Sequence, residues 1–211
     1  MIRRVLTLGA LALGALFLAP QQAQATTITP LSVEQMTDAS ELIVRATVQE
    51  VWVEKGSDDR VWTMAQLQVD QVLKGDTSTE FVVVSQLGGV HRNEFAMVSG
   101  APRFSVGEDG VFFLETVAHG QRTSVVGWWQ GKLTVRQEPH TGREMVVRFT
   151  MTQNTPYDHR FIPHPPADQR VYLDEFEQKV LERVEDGWDG QSIPGVSDDK
   201  LARINDVKGT Y

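Results

Sequence analysis

Gln86-Leu-Gly-Gly89, a polar loop, and then Gly100-Ala-Pro-Arg-Phe-Ser-Val-Gly-Glu108 form the stretch on which the reading of this chain turns. It separates two apolar runs, Phe81-Val-Val-Val84 and Val111-Phe-Phe-Leu114. Four glycines and one proline fall within its 23 residues. Glycine reaches positive φ at little cost and proline fixes φ, so the stretch predicts tight turns rather than free coil. The two flanking runs are rich in strand formers and apolar on both faces, which predicts two central strands.

Upstream, Leu42 to Val53 and Val61 to Leu73 alternate apolar and polar residues. Such alternation is the mark of half-buried strands, and the short polar loop Glu54 to Arg60 predicts that they pair antiparallel. Before them, Ser32-Val-Glu-Gln35 has the form of a capping box opening a short helix over Val33 to Ala39. Downstream, Thr123 to Trp129, Lys132 to Arg136 and Glu144 to Thr150 are further strand candidates, with a hairpin turn at Thr141-Gly142. Prolines 156, 163, 165 and 166 make 151–170 a strap or linker. Leu173, Phe176, Val180, Leu181 and Val184 follow helical spacing, so 171–186 is a helix docked on the sheet. Residues 187–211 have little periodicity and are expected to form a loose tail, with one helical turn near Asp198 to Ile204. The class expected is mainly β: an OB-like closed antiparallel barrel over 26–150, with a β-sandwich as the alternative.

The first residues predict an address. Met1-Ile-Arg-Arg4, an apolar run from Val5 to Ala19 and Ala23-Gln-Ala25 have the three regions of a secretory signal peptide, cleaved after Ala25. The apolar run is shorter than the roughly 20 residues needed to span a bilayer. A periplasmic or secreted protein is expected, with no membrane anchor after cleavage. Its net charge of −8 and its lack of a Lys/Arg cluster argue against nucleic acid as a partner. It has no cysteine, which removes disulfides, thiolate metal sites and a cysteine nucleophile.

Enzyme signatures are weak. Glu108 could work with a histidine, His91 being nearest in sequence, as a hydrolytic acid–base pair. The simpler reading is that Glu108 accepts backbone N–H groups and fixes its turn. Ser85, Ser99 and Ser105 lack a nucleophile elbow. Gly88-Gly89 is not followed by a phosphate-loop lysine. His159 and His164 have neither the spacing nor the co-ligands of a zinc site. No cofactor or metal is expected. Trp128-Trp129, read as strand residues, would point to opposite faces, leaving one free to stack on a sugar or a partner.

The pieces SELIVRATV (40–48), VDQVLKG (69–75), VVVSQLGG (82–89), GAPRFSVGEDGVFFL (100–114) and VVGWWQGKLTV (125–135) resemble a group of exported bacterial proteins of unknown function. More distantly, their order is similar to the netrin-like module, the OB-type barrel of the tissue inhibitors of metalloproteinases. That resemblance implies an OB-like barrel and makes a protease a conceivable partner. It does not carry the inhibitory chemistry, which needs an N-terminal cysteine where this chain would begin Thr26-Thr27. The function expected is a non-enzymatic protein-binding module. Its binding residues would be Gln86, Gly88, Gly89, Gly100, Pro102, Phe104, Glu108 and Trp129.

Overall fold

The computed structural model describes residues 29–117, 122–147 and 170–205. The expected leader, all of the strap but its last residue, and His119, His159 and His164 lie outside these residues. The described chain is mainly β. In order it forms α1 (Val33–Ala39), β1 (Leu42–Lys55), β2 (Val61–Lys74), β3 (Phe81–Leu87), β4 (Gly89–His91), β5 (Glu94–Ala96), β6 (Asp109–Val117) and β7 (Arg122–Val125). A 3-10 turn (Trp128–Gly131), β8 (Lys132–Gln137), β9 (Glu144–Val147), β10 (Arg170–Tyr172), α2 (Leu173–Asp186) and α3 (Asp198–Asn205) follow. The capping box forms as expected: Gln35 N–H donates to Ser32 Oγ at 3.1 Å, and Ser32 N–H to Gln35 Oε1 at 2.9 Å.

The main sheet runs β1-β2-β3-β7-β6-β8-β9-β10, and β1 also pairs with β6. The sheet therefore partly rings: β1, β2, β3, β7 and β6 are joined neighbour to neighbour and back to β1. The long β1–β2 hairpin makes this possible. Its register shifts three times, between Ile43 and Val44, Arg45 and Ala46, and Val48 and Glu50. Each extra residue bends and twists the ribbon. The coiled β1 can then offer its other edge, Leu42–Thr47, to Leu114–Asp109 of β6.

Two cores lie on opposite sides of this curved layer. The helix-side core holds Ile43, Val111, Phe113, Leu133 and Val146 against Met36 and Ala39 of α1, Phe176 and Val180 of α2, and Leu201 of α3. The ring-side core holds Val44, Ala46, Val48, Ala65, Leu67, Val84, Phe112 and Leu114. Alternation along β6 sends Val111 and Phe113 one way and Phe112 and Leu114 the other, and all four are fully buried.

Several expectations are corrected. The sheet is mixed, not antiparallel, because β3 and β7 pair in parallel through Val84 and Thr123. Phe81–Val84 is not buried on both faces: Phe81 is 39% exposed and Val83 41%, since among the described residues no helix covers that side of β3. Trp128 and Trp129 leave the strand for the 3-10 turn, because Gly127 and Trp128 both take positive φ (62° and 65°). Leu181 is exposed, off the stripe that Phe176 and Val180 bury. The expected loose tail packs: Ile193 and Leu201 are buried in the helix-side core, and Asp198–Asn205 is a helix of eight residues. Its anchors are polar as well, with Lys200 paired to Glu115 and Asn205 Nδ2 donating to Asp38 O at 3.1 Å.

Candidate functional site

The 86–108 stretch is structured, but by more than turns. Gly89–His91 and Glu94–Ala96 pair as a small separate hairpin, β4–β5. Gly88 N–H donates to Val61 O at 2.8 Å, and Thr63 Oγ1 donates to Gly88 O at 2.7 Å. Both glycines have positive φ, 104° and 140°. A Cβ on Gly89 would meet Thr63 Oγ1 at 2.7 Å and Val53 at 3.0 Å, so only glycine lets the backbone lie this close to the β1–β2 ribbon.

The far end of the stretch is tied down in the same way. Pro102 is buried, and Phe104 stacks on Phe112 with ring centroids 6.4 Å apart. Gly107 N–H donates to Val48 O, and Val48 N–H to Glu108 O. The Glu108 carboxylate accepts from Lys132 Nζ, from Thr134 Oγ1 at 2.7 Å and from Ser105 N–H at 3.3 Å. Gly100 O accepts the Trp129 N–H at 3.1 Å, which joins the loop to the 3-10 turn. That turn is itself pinned by Gln130, whose amide bridges Thr29 O, Gly127 O and Leu31 N–H.

Among the polar residues that face outward, Arg92, Asn93, Glu94, Ser99, Arg103 and Ser105, stand several large apolar ones. Val90 is 59% exposed, Phe95 68%, Met97 73% and Val106 67%, and Trp128 on the turn is 42% exposed. Val90 and Phe95 are cross-strand partners in the hairpin. Phe95, Ala96 and Val98 also line an open groove of about 460 Å³ against Arg60, Val61 and Leu87. The hairpin's acid is neutralised: Glu94 pairs with Lys55 at 2.8 Å, and the Glu94 and Asp59 carboxylates raise the Lys55 ammonium above its ordinary range.

The structure thus brings Gly100 and Trp129 into contact and places Phe104 beside the residues that hold Glu108. Gln86, Gly88, Gly89, Pro102, Phe104 and Glu108 are engaged in holding the loop to the sheet. The exposed set of Val90, Phe95, Met97, Val106 and Trp128 was not singled out from sequence. One signal for it was present: Val90 and Phe95 flank the two-residue turn Arg92-Asn93 at hairpin spacing, but without the usual glycine. His91 sits half-buried opposite Glu94, and no hydrogen bond among the described residues joins Glu108 to a histidine. No group of three His, Cys, Asp or Glu among the described residues could hold a metal ion. No helix among them is long and apolar enough to cross a membrane.

No protein-family model matches this sequence, and no curated protein matches it.

Proposed function

We propose that this chain is an exported binding module, in which an OB-like barrel formed by the β1-β2-β3-β7-β6 ring presents the 86–108 loop to a protein partner. One observation carries the reading. A loop whose inward residues are anchored at both ends turns Val90, Phe95 and Met97 outward at 59–73% exposure. Large apolar side chains on a rigid rim are the material of interface anchors. The export signal over 1–25 and the resemblance to exported bacterial proteins point to an exported partner, and the netrin-like similarity keeps a protease among the candidates. Glu108 serves this reading as a brace, since its carboxylate is shared among three donors.

The test is capture of exported proteins by the immobilised chain, compared with Phe95→Ser and Met97→Ser. Each substitution should weaken capture about tenfold, at about 1–2 kcal/mol per anchor, while the unfolding midpoint stays put. A partner held equally by both variants would remove the hairpin from the interface.

A second reading rests on Trp128. A non-glycine residue at φ 65° costs of order 1–3 kcal/mol and persists where the surrounding structure holds it there, as at Asp59 and Arg92 as well. An exposed indole so held suits stacking on a sugar. A sugar-dependent change in tryptophan emission, absent in Trp128→Ala, would support it; no change with any sugar panel member would dismiss it.

A further inference from the structure

The β4–β5 hairpin has a free edge. Among the described residues its two strands pair only with each other, so β5 has no neighbour on its other side. The alternation of the ladder fixes which groups point there. Arg92-Asn93 is a two-residue turn, and His91 and Glu94 close it as a hydrogen-bonded pair. Val90 and Phe95 are then the next, non-bonded pair, and Gly89 and Ala96 bond again. The Phe95 N–H and C=O therefore point away from β4. No backbone bond among the described residues uses them, which leaves a strand edge open to another chain.

This edge is held in place. Gly88 N–H donates to Val61 O, Gly89 lies against Thr63 and Val53, and Glu94 at the start of β5 is tied to Lys55 at 2.8 Å. The open groove lies beside it, lined by Ala96 and Val98 together with Val61 and Leu87. A strand laid along β5 would set the residue opposite Phe95 on the exposed face, with Phe95 and Val90. The neighbours of that residue would fall on the face of Ala96, which lines the groove. The charges around the groove already have partners. Lys55 holds Glu94 at 2.8 Å and Asp59 at 2.9 Å, and Arg60 lies 3.9 Å from Asp58.

We propose that β5 is the docking edge of this protein, and that it takes an extended, uncharged segment of a partner protein as an added strand. The proposal rests on the reading of 86–108 as a binding loop and says how that loop binds. Main-chain bonds to Phe95 fix the register of the segment. Its apolar side chains, on alternate positions, meet Phe95 and Val90 on one face and the groove on the other. A second copy of this chain is the poorer occupant, because two chains of net charge −8 repel one another.

The experiment is an NMR titration of the whole chain with two end-blocked peptides. One alternates valine and threonine. The other is its depsipeptide analogue, in which ester links replace the amides, so every side chain is kept and the N–H donors are gone. The amide peptide should bind and slow amide exchange at Phe95, and the ester analogue should bind about tenfold more weakly. Equal binding of the two, unchanged exchange at Phe95, or no binding of either would overturn the proposal. Capture of exported proteins that still needs Phe95 and Met97, alongside such a result, would leave the binding loop standing and remove only the added strand.

Discussion

Phe81-Val-Val-Val84 and Val111-Phe-Phe-Leu114 are near twins in composition, and the molecule treats them differently. In β6 all four side chains are fully buried. In β3 only Val84 is, while Phe81 and Val83 stand 39% and 41% exposed. Both strands turn alternate residues into the ring-side core. Among the described residues, α1, α2 and α3 pack on the other face of β6 and not on that of β3. Apolar composition on both faces is therefore permissive; what buries the second face is a helix that arrives from elsewhere in the chain.

The sharpest way to break this comparison is to truncate both runs. Phe113→Ala removes a ring that packs edge-on to Phe176 at 6.2 Å and is fully buried. It should cost about 3–5 kcal/mol in urea unfolding. Val83→Thr, at the matching place in β3, should stay within about 0.5 kcal/mol. Comparable losses at the two sites would mean that the outer face of β3 is covered after all.

If the helix layer is what distinguishes the runs, its fastenings matter next. Asp38 is 4% exposed and takes two hydrogen bonds from Arg183, at 3.0 and 2.6 Å, joining α1 to α2. Asp38→Ala removes the buried partner, leaves Arg183 only the more exposed Asp189 at 3.3 Å, and should cost about 3 kcal/mol. Replacing both partners with apolar residues should recover much of that loss, which a double-mutant cycle would measure. Leu201→Ala, in α3, should cost about 2–3 kcal/mol, because Leu201 is wholly buried in the helix-side core. An effect near zero would return 187–205 to the status of a tail.

Much of the chain was legible where local pattern and burial coincide. The β1–β2 ribbon, the Ser32/Gln35 capping box and the helix at 173–186 follow from alternation, cap chemistry and 3.6-residue spacing. The bulges that coil the ribbon leave no such trace, and with them went the β1–β6 pairing. Whether β3 has a covering layer is a long-range fact that its own residues cannot carry. The same holds for the site. The glycines of 86–89 announced a constrained loop, yet they serve to hold it to the sheet, and the exposed side chains of Phe95 and Met97 look like ordinary loop residues. Trp128-Trp129 misled because strand alternation was extended through Gly127, whose positive φ ends it.

The smallest effect tests the helix layer from its exposed flank. Burial would raise the Glu34 carboxyl, but hydrogen bonds from Lys179 of α2 and from the first turn of α1 outweigh it and lower the group to about 2. A depressed carboxylate contributes stability that is complete above its unfolded value near 4.5 and is lost as pH falls toward 2. Because Glu34 and Lys179 are both largely solvated, at 40% and 56% side-chain exposure, the contribution should be under about 1 kcal/mol and shrink with added salt. Glu34→Gln should flatten the acid limb of the stability profile between pH 4.5 and 2 and leave the region near pH 7 almost unchanged. Glu177, two residues before Lys179 on the same helix, is pushed up by burial, so Glu177→Gln should bend the profile in the opposite direction to Glu34→Gln. Profiles bending the same way would mean that α2 answers to acid as one rigid body and not through separate contacts on its two flanks.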